Sequence, residues 1–499
     1  MSSPCFAYPI PTMLYLVTAL LQYPKTVTLA LTLLHFYLRH RLKGRKDGRT
    51  GLPFPPGPAG YPIIGNMLDI PSQKAEYAYA DLSRKYGDMV YLESMGTKIL
   101  ILSSVKRTKE LFDTRSSIYS SRWTMPMLDA MGFRAYFSMQ EYGPGWRRQR
   151  QLFHNHFNPT VVDRYHPLIM DETSLFIQDI LANPGDFAKH TRSLFTSIIL
   201  GSMYGIQPKG NDDPFITTPA STMEGFIVAG VPGSFLVDFI PALKHVPDWV
   251  PGTKWKQIAK YYAGKNIDTR VEPFIHVQEQ MKTGCAKPSA LLSMLDDLPP
   301  VGDPSRDTEI GYAMDTTAVG YLGMSLSIGL AALLLVSMHP DVQKRAQDEL
   351  DRVVGFGRLP DFNDRHELVY INALIKEIFR FHQPVFLTLL PRMTYCDGYF
   401  IPKGTVVMGN AWEILHNPED FPDPFTFNPD RFIKDGKLIK DVGDPTFGFG
   451  RRICPGRHIS VDSIYAMISS TLAVFDISAP KDPDGTAILK FEVTEGLVM

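Results

Sequence analysis

The ten residues Phe447-Gly448-Phe449-Gly450-Arg451-Arg452-Ile453-Cys454-Pro455-Gly456 place one cysteine in a glycine-rich, basic loop. The loop runs straight into a helix-like segment. Gly450 and Gly456 are expected to let the backbone turn tightly and approach a flat group. Arg451 and Arg452 bring positive charge beside the thiol, and the start of a following helix adds a partial positive charge. Both favour the thiolate. A buried free cysteine in a glycine turn would need none of these flanking groups. Five positions fit the spacing Phe-x-x-Gly-x-Arg-x-Cys-x-Gly, which chance would produce in about one chain of this length in ten thousand.

These properties suit a thiolate ligand to a haem iron, where sulfur pushes electron density onto the metal and favours cleavage of an O–O bond. On these residues the chain resembles the cytochrome P-450 family of haem-thiolate enzymes. The resemblance runs over about residues 51–497 and is nearest to fungal members through Asp341-Val342-Gln343 and Gly355 to Asp361. It implies a mainly α protein with small β-sheets, in a single triangular-prism-like catalytic domain. It also implies haem as cofactor, with Cys454 as axial ligand and Phe447, Gly450, Arg452 and Gly456 around it.

Composition agrees with a globular body. Hydrophobic residues make up 44% of the chain and charged residues 21%, enough for a substantial core. A formal net charge of −1 argues against a nucleic-acid partner, which would call for a basic excess. Cys5, Cys285, Cys396 and Cys454 are scattered, so neither a disulfide framework nor a structural zinc site is indicated.

Pro9 to Leu38 is mostly apolar and ends in Arg39, Arg41, Lys43, Arg45, Lys46 and Arg49. Residues 1–38 read as a transmembrane anchor, since about 20 apolar residues span a bilayer. The positive flank after the span puts the body on the cytosolic side, at the endoplasmic reticulum. Lys25, after Pro24, leaves open one tilted helix or two shorter pieces. Residues 39–60, with Pro53, Pro55, Pro56 and Pro58, read as a basic, proline-stiffened hinge. Residues 61–499 are expected to form the catalytic domain.

Alternation predicts a hairpin over 88–92 and 98–102. Spacings of three and four predict helices near 160–182, 188–204, 308–338, 340–353, 368–382 and 457–475. The segment Gly398 to Val407 looks like the family's strand-turn-strand near the distal pocket.

Trp146 and Arg150 stand four apart, on one face if that segment is helical. An indole N–H and a guanidinium there suit a haem propionate. Arg392, where relatives often carry histidine, would supply another donor. Glu377 and Arg380 stand three apart in a largely apolar helix, and a buried charge needs a partner. The resemblance makes Arg431 the third member of a structural triad that locks the haem loop.

One departure from the family bears on mechanism. The helix crossing above the haem usually carries an acid followed by threonine. Counted back from His339-Pro340, those positions hold Gly323 and Met324, with Ser325 next. Asp315-Thr316-Thr317 lies eight residues upstream of the expected place, about 12 Å along a helix.

The first expectation is a membrane-bound monooxygenase that inserts one oxygen atom from O2 into a small apolar substrate. Terpenoid, steroid, polyketide and polycyclic aromatic compounds all fit. Electrons would come from NADPH through NADPH-cytochrome P-450 reductase, which would dock on Arg147, Arg148, Arg451 and Lys434. The weakened relay leaves two alternatives: an O2-independent isomerase or dehydratase, and a non-catalytic ligand binder. Pocket lining is expected from Arg122–Tyr136, Phe226–Phe239, Val319–Ser325 and Val385–Leu390, with Met125, Met127, Phe226, Val228 and Phe386 prominent.

Overall fold

The computed structural model describes residues 47–484 except 49, 72–73, 124, 211, 231–233, 323–324, 383–386, 390–392, 440–444 and 480–483, together with Thr32. The expected anchor, apart from Thr32, and the basic residues of the cluster from Arg39 to Arg49 lie outside the described residues, as do Gly323, Met324, Phe386 and Arg392.

Helices dominate. In chain order the ones used below are α1 (Ala75–Tyr86), α2 (Pro126–Ala130), α3 (Pro144–Phe157), α4 (His166–Ala182), α5 (Phe187–Tyr204) and α6 (Pro214–Gly230). Then come α7 (Leu236–Phe239), α8 (Lys254–Thr283), α9 (Arg306–Tyr321), α10 (Ser325–Met338), α11 (Pro340–Val353), α12 (Val369–Phe381) and α13 (Arg457–Val474). The expected helices over 188–204, 340–353, 368–382 and 457–475 are present to within a residue or two. The helix expected from 160 starts at His166, behind a short 3-10 turn at Val162–Tyr165.

The helix expected over 308–338 is present as α9 and α10, on either side of residues 323–324, which lie outside the described residues. Leu322 caps the first with φ −82° and ψ 18°. Arg306–Met338 is the one stretch among the described residues long and apolar enough to cross a membrane. It belongs to the core instead: α9 packs on α3 and α5, and α10 packs on α12 and α13. An all-round apolar helix inside a large body is the ordinary case of such a pattern.

The hairpin β1 (Met89–Ser94) and β2 (Thr97–Leu102) forms as the alternation predicts. It joins a mixed sheet in the order β1-β2-β6-β3, with β3 at Leu387–Leu389 and β6 at Thr405–Gly409. Strand β2 pairs with β6 in parallel, so residue 98 meets residue 405 across three hundred positions. The Gly398–Val407 segment has the expected strand-turn-strand form, with its two strands in different sheets. Strand β5 (Tyr399–Ile401) pairs with β4 (Thr394–Cys396) in a separate sheet, and β6 crosses into the first. All of β6 is buried, between β2 on one edge and β3 on the other.

Candidate active site

The cysteine loop descends into α13 as a chain of tight turns. Gly448 has φ +85° and Gly450 φ +55°. A Cβ on Gly450 would stand 2.0 Å from the Phe112 carbonyl oxygen, so glycine is required there by space as well as by backbone angle. Gly456 is different. Its φ is −87°, and a Cβ there would meet only Phe153 at 3.7 Å and Cys454 Sγ at 4.0 Å. The tight turn expected of Gly456 is made by Gly448 and Gly450 instead.

Within the loop the Cys454 amide donates to the Phe447 carbonyl at 2.8 Å, and the Ile453 amide donates to Gly450 at 3.2 Å. Arg457, in the first turn of α13, donates to the Cys454 carbonyl at 3.2 Å. These bonds fix the backbone that carries Sγ. Cys454 lines a large cavity together with Phe447, Gly448, Phe449 and Pro455. The other described cysteines do not line it. Cys285 is exposed, and Cys396 is buried in β4, where burial first and Glu110 second push its thiol up to about 11.

Helix α3 presents Trp146 and Arg150 on one face, four residues apart, and both line the same cavity. The Trp146 Nε1 is buried with no hydrogen-bond partner. Arg150 makes no hydrogen bond or ion pair among the described residues. Arg452 also lines the cavity, but most of its donors are engaged with backbone carbonyls. It donates to Ser120, Phe137 and Gln140, and its guanidinium lies 4.5 Å from the Trp146 ring centroid. Arg452 thus ties the cysteine loop to the 120–140 segment.

Arg122 is a third cation at this wall, which sequence reasoning placed only among substrate-lining residues. Its signal was weak, because a single arginine in an apolar stretch fits many roles. Burial pushes all three guanidiniums down, Arg452 to about 8 and Arg122 and Arg150 to about 10; neighbouring arginines add to the fall, while Cys454 opposes it at Arg150. Arginine keeps its proton in proteins. The shifts therefore describe positive charge crowded away from water. An orphan indole N–H beside crowded guanidiniums, across from a cysteine, fits a flat cofactor with carboxylates along one edge. Haem is such a group, and the residues present fit it.

Glu377 and Arg380 lie three apart on α12, with exposures of 0% and 1%. Two bonds of 2.6 and 2.9 Å join them, and Arg431 adds a third to the same carboxylate at 3.2 Å. The remaining donors of both arginines reach the carbonyls of Leu415, Pro422, Asp423 and Thr426. The Asn428 amide donates to Glu377 at 2.8 Å. Every charge in the triad is paired, which burial demands. One residue before Arg380 the helix meets the site: Thr446, which enters the cysteine loop, donates to the Phe379 carbonyl at 2.9 Å.

The ceiling comes from Val319 of α9 and from Leu322, which caps it. The upstream triplet does not reach it. Asp315 is held by Arg270 of α8 at 2.9 Å, and burial raises its carboxyl while Arg270 opposes that. Thr317 donates back to the carbonyls of Ala313 and Met314, each at 3.0 Å. Thr316 is fully buried. Ser325 starts α10, and its side chain lies outside the described residues. Two positions on, Ser327 is committed to His382 at 2.6 Å, whose imidazole burial pushes down to about 4.

The roof is apolar. Trp123, Met125, Leu128, Phe133 and Tyr136 line the cavity from the expected 122–136 segment, and Phe226 from α6. Met223, one turn earlier, also lines it. Met127 is buried in the roof behind the lining, and Val228 is turned outward, 38% exposed.

The cytochrome P450 family profile matches residues 55–498. Cytochrome P450 monooxygenase COX1 of Coprinopsis cinerea is 38% identical over 476 residues, covering 93% of this chain and 92% of its own. COX2 of the same fungus is 40% identical over 455 residues, covering 89% and 86%. Cytochrome P450 monooxygenase 98 of Postia placenta is 38% identical over 449 residues, covering 88% and 86%. The chain belongs to the cytochrome P450 family. It is a haem-thiolate monooxygenase, an oxidoreductase of the fungal kind.

Proposed function

We propose that Cys454 is the axial ligand and that the protein oxidises a small, largely apolar organic molecule held under α2, α6 and α9. The observation that carries this reading is one cavity with Cys454 on its floor, unpaired Arg150 and the Trp146 N–H at its edge, and aromatic and methionine side chains over it. Haem bound through a thiolate supplies dioxygen activation and transfer of one oxygen atom to carbon. Trp146, Arg150 and Arg122 would bind the carboxylates of that group. The loop amides and Arg457 hold the thiolate in place. The roof excludes water and orients substrate by shape, since it offers few free polar groups.

Proton supply is the unusual part. Gly323 and Met324 carry no proton, Asp315 is tied to Arg270, and Ser327 is tied to His382. We assign the task to Ser325 or to a hydroxyl of the substrate itself. Terpenoids, steroids, polyketides and polycyclic aromatics are the substrate classes, with secondary metabolism the setting.

Residues 1–38 anchor the body to the endoplasmic reticulum, and residues 39–60 form the hinge. NADPH-cytochrome P-450 reductase delivers the electrons to an exposed basic face. Exposed Arg147, Arg451 and Lys434 support that face, whereas Arg148 is drawn to Glu309 at 2.8 Å and counts for less.

The test is Cys454→Ala. The variant is expected to lose the reduced, carbon-monoxide-bound absorbance of thiolate-ligated haem and all turnover. Retention of that absorbance would sink the assignment.

A further inference from the structure

The roof helix α2 has an unusual start. Its first residue, Pro126, has no amide hydrogen, and Met125 before it provides no side-chain cap. The first amide donor of the helix is Met127, and a helix start leaves such donors unpaired. The bond comes from far along the chain. Asp238 of α7 accepts from the Met127 amide through Oδ1 at 2.9 Å. Asp238 is 7% exposed, and its Oδ2 has no partner among the described residues.

Helix α7 is short. Four residues do not hold a helix alone, so its position depends on what it packs against. It packs on α2 and on the 3-10 turn Pro241–His245. Val237 is buried in the roof cluster with Met125, Met127 and Leu128, while Leu236 and Ile240 on either side are exposed. One charged group therefore joins two short elements, and α2 carries Met125 and Leu128 into the cavity.

We propose that Asp238 is a positioning residue for substrate: by capping α2 from α7 it sets the height of the roof over the cavity and holds bulky apolar ligands in place. It touches no ligand and acts through Met125 and Leu128. The inference rests on the proposal that this cavity is the substrate site. Asp129 on α2 is the charged group that acts on the Asp238 carboxyl, and Asp129 is itself paired with Arg134 at 3.0 Å; among the described residues Asp238 forms no ion pair.

The test compares haem-loaded wild type, Asp238→Asn and Asp238→Ala. Each is titrated with a polycyclic hydrocarbon, read by its spectral shift, and with imidazole, which reaches iron without needing the roof. Asp238→Ala is expected to bind the hydrocarbon about five- to tenfold more weakly, mainly through faster release, and imidazole as before. Asp238→Asn keeps an acceptor and is expected to restore wild-type binding. Equal hydrocarbon binding by Asp238→Ala, or an equal loss for imidazole, overturns the proposal. If Asp238→Ala does not fold, hydrogen exchange at the wild-type Met127 amide decides. Slow exchange that slows further with hydrocarbon supports the cap, and fast exchange overturns it. If the wild type binds imidazole but no apolar compound, the substrate reading fails, not the cap.

Discussion

The floor and the roof of the cavity are built by opposite means. On the floor, turns, carbonyl-bound arginines and a buried ion triad fix the cysteine loop. The roof is held by apolar contact among Met125, Met127, Leu128, Met131, Phe133 and their neighbours, with few polar ties. Hydrogen bonds demand particular residues at particular angles, whereas apolar contact asks for volume and accepts many side chains. The floor is therefore the part set by chemistry common to the family, and the roof the part free to follow a substrate.

The largest effect expected from breaking this contrast lies at Glu377. Removing its carboxylate leaves Arg380 and Arg431 buried without their anion, at a cost of roughly 3–5 kcal/mol. That is a large share of the roughly 5–15 kcal/mol by which domains are stable. Glu377→Ala should accumulate poorly and hold little haem, read as carbon-monoxide-binding absorbance per total protein. A truncation in the roof, Met125→Ala, should leave that ratio near wild type. Equal losses would erase the distinction between floor and roof.

Gly450→Ala sharpens the same point within the floor. The added methyl meets the Phe112 carbonyl, and the left-handed backbone adds a strain of roughly 1–2 kcal/mol. The backbone oxygen cannot step aside, so the loop carrying Cys454 must. Haem retention should fall severalfold. Gly456→Ala, with ordinary φ and contacts no closer than 3.7 Å, should fold and load haem far better. The reverse order would mean that Gly456 is needed against the cofactor itself.

The floor was legible in the sequence because its demands are strict. Cys454, Gly450, Trp146 with Arg150, and Glu377 with Arg380 each stand at a spacing that one geometry explains. The roof was legible only as apolar stretches, so Val228 read as lining although it faces outward, and Met223 was passed over. Helices α6 and α8 also escaped the periodicity. Pro219 and Pro273 lie inside them, and an interior proline normally reads as a break. Both are buried, and packing between α6 and α8 outweighs the lost backbone bonds.

The ceiling lies between floor and roof, and it tests the mechanism. If Ser325 carries the proton, Ser325→Ala should lower product per NADPH by about tenfold or more and raise peroxide correspondingly. Gly323→Asp with Met324→Thr would then change little. If substrate supplies the hydroxyl, Ser325→Ala should be nearly silent, and a substrate lacking that hydroxyl should couple poorly in the wild type. Product formed without oxygen or NADPH would move the protein to an isomerase or dehydratase reaction.

The smallest expected effect is in the roof, at the buried acid Asp238. Burial raises the Asp238 carboxyl from 3.8 to about 6, with Asp129 adding to the rise and the Met127 amide opposing it. The folded protein therefore binds this proton more tightly than the unfolded chain. The contribution to stability is full below the unfolded value and is lost as pH rises through about 6. Asp238→Asn keeps the acceptor for Met127 and cannot ionise. It should unfold a few degrees higher than wild type at about pH 7. That advantage should shrink as the pH is lowered toward the unfolded carboxyl value, because the wild type then regains its proton. An advantage that does not depend on pH would show that the amide acts by packing. A loss at both pH values would show that the carboxylate charge itself holds the roof, through a partner other than Met127.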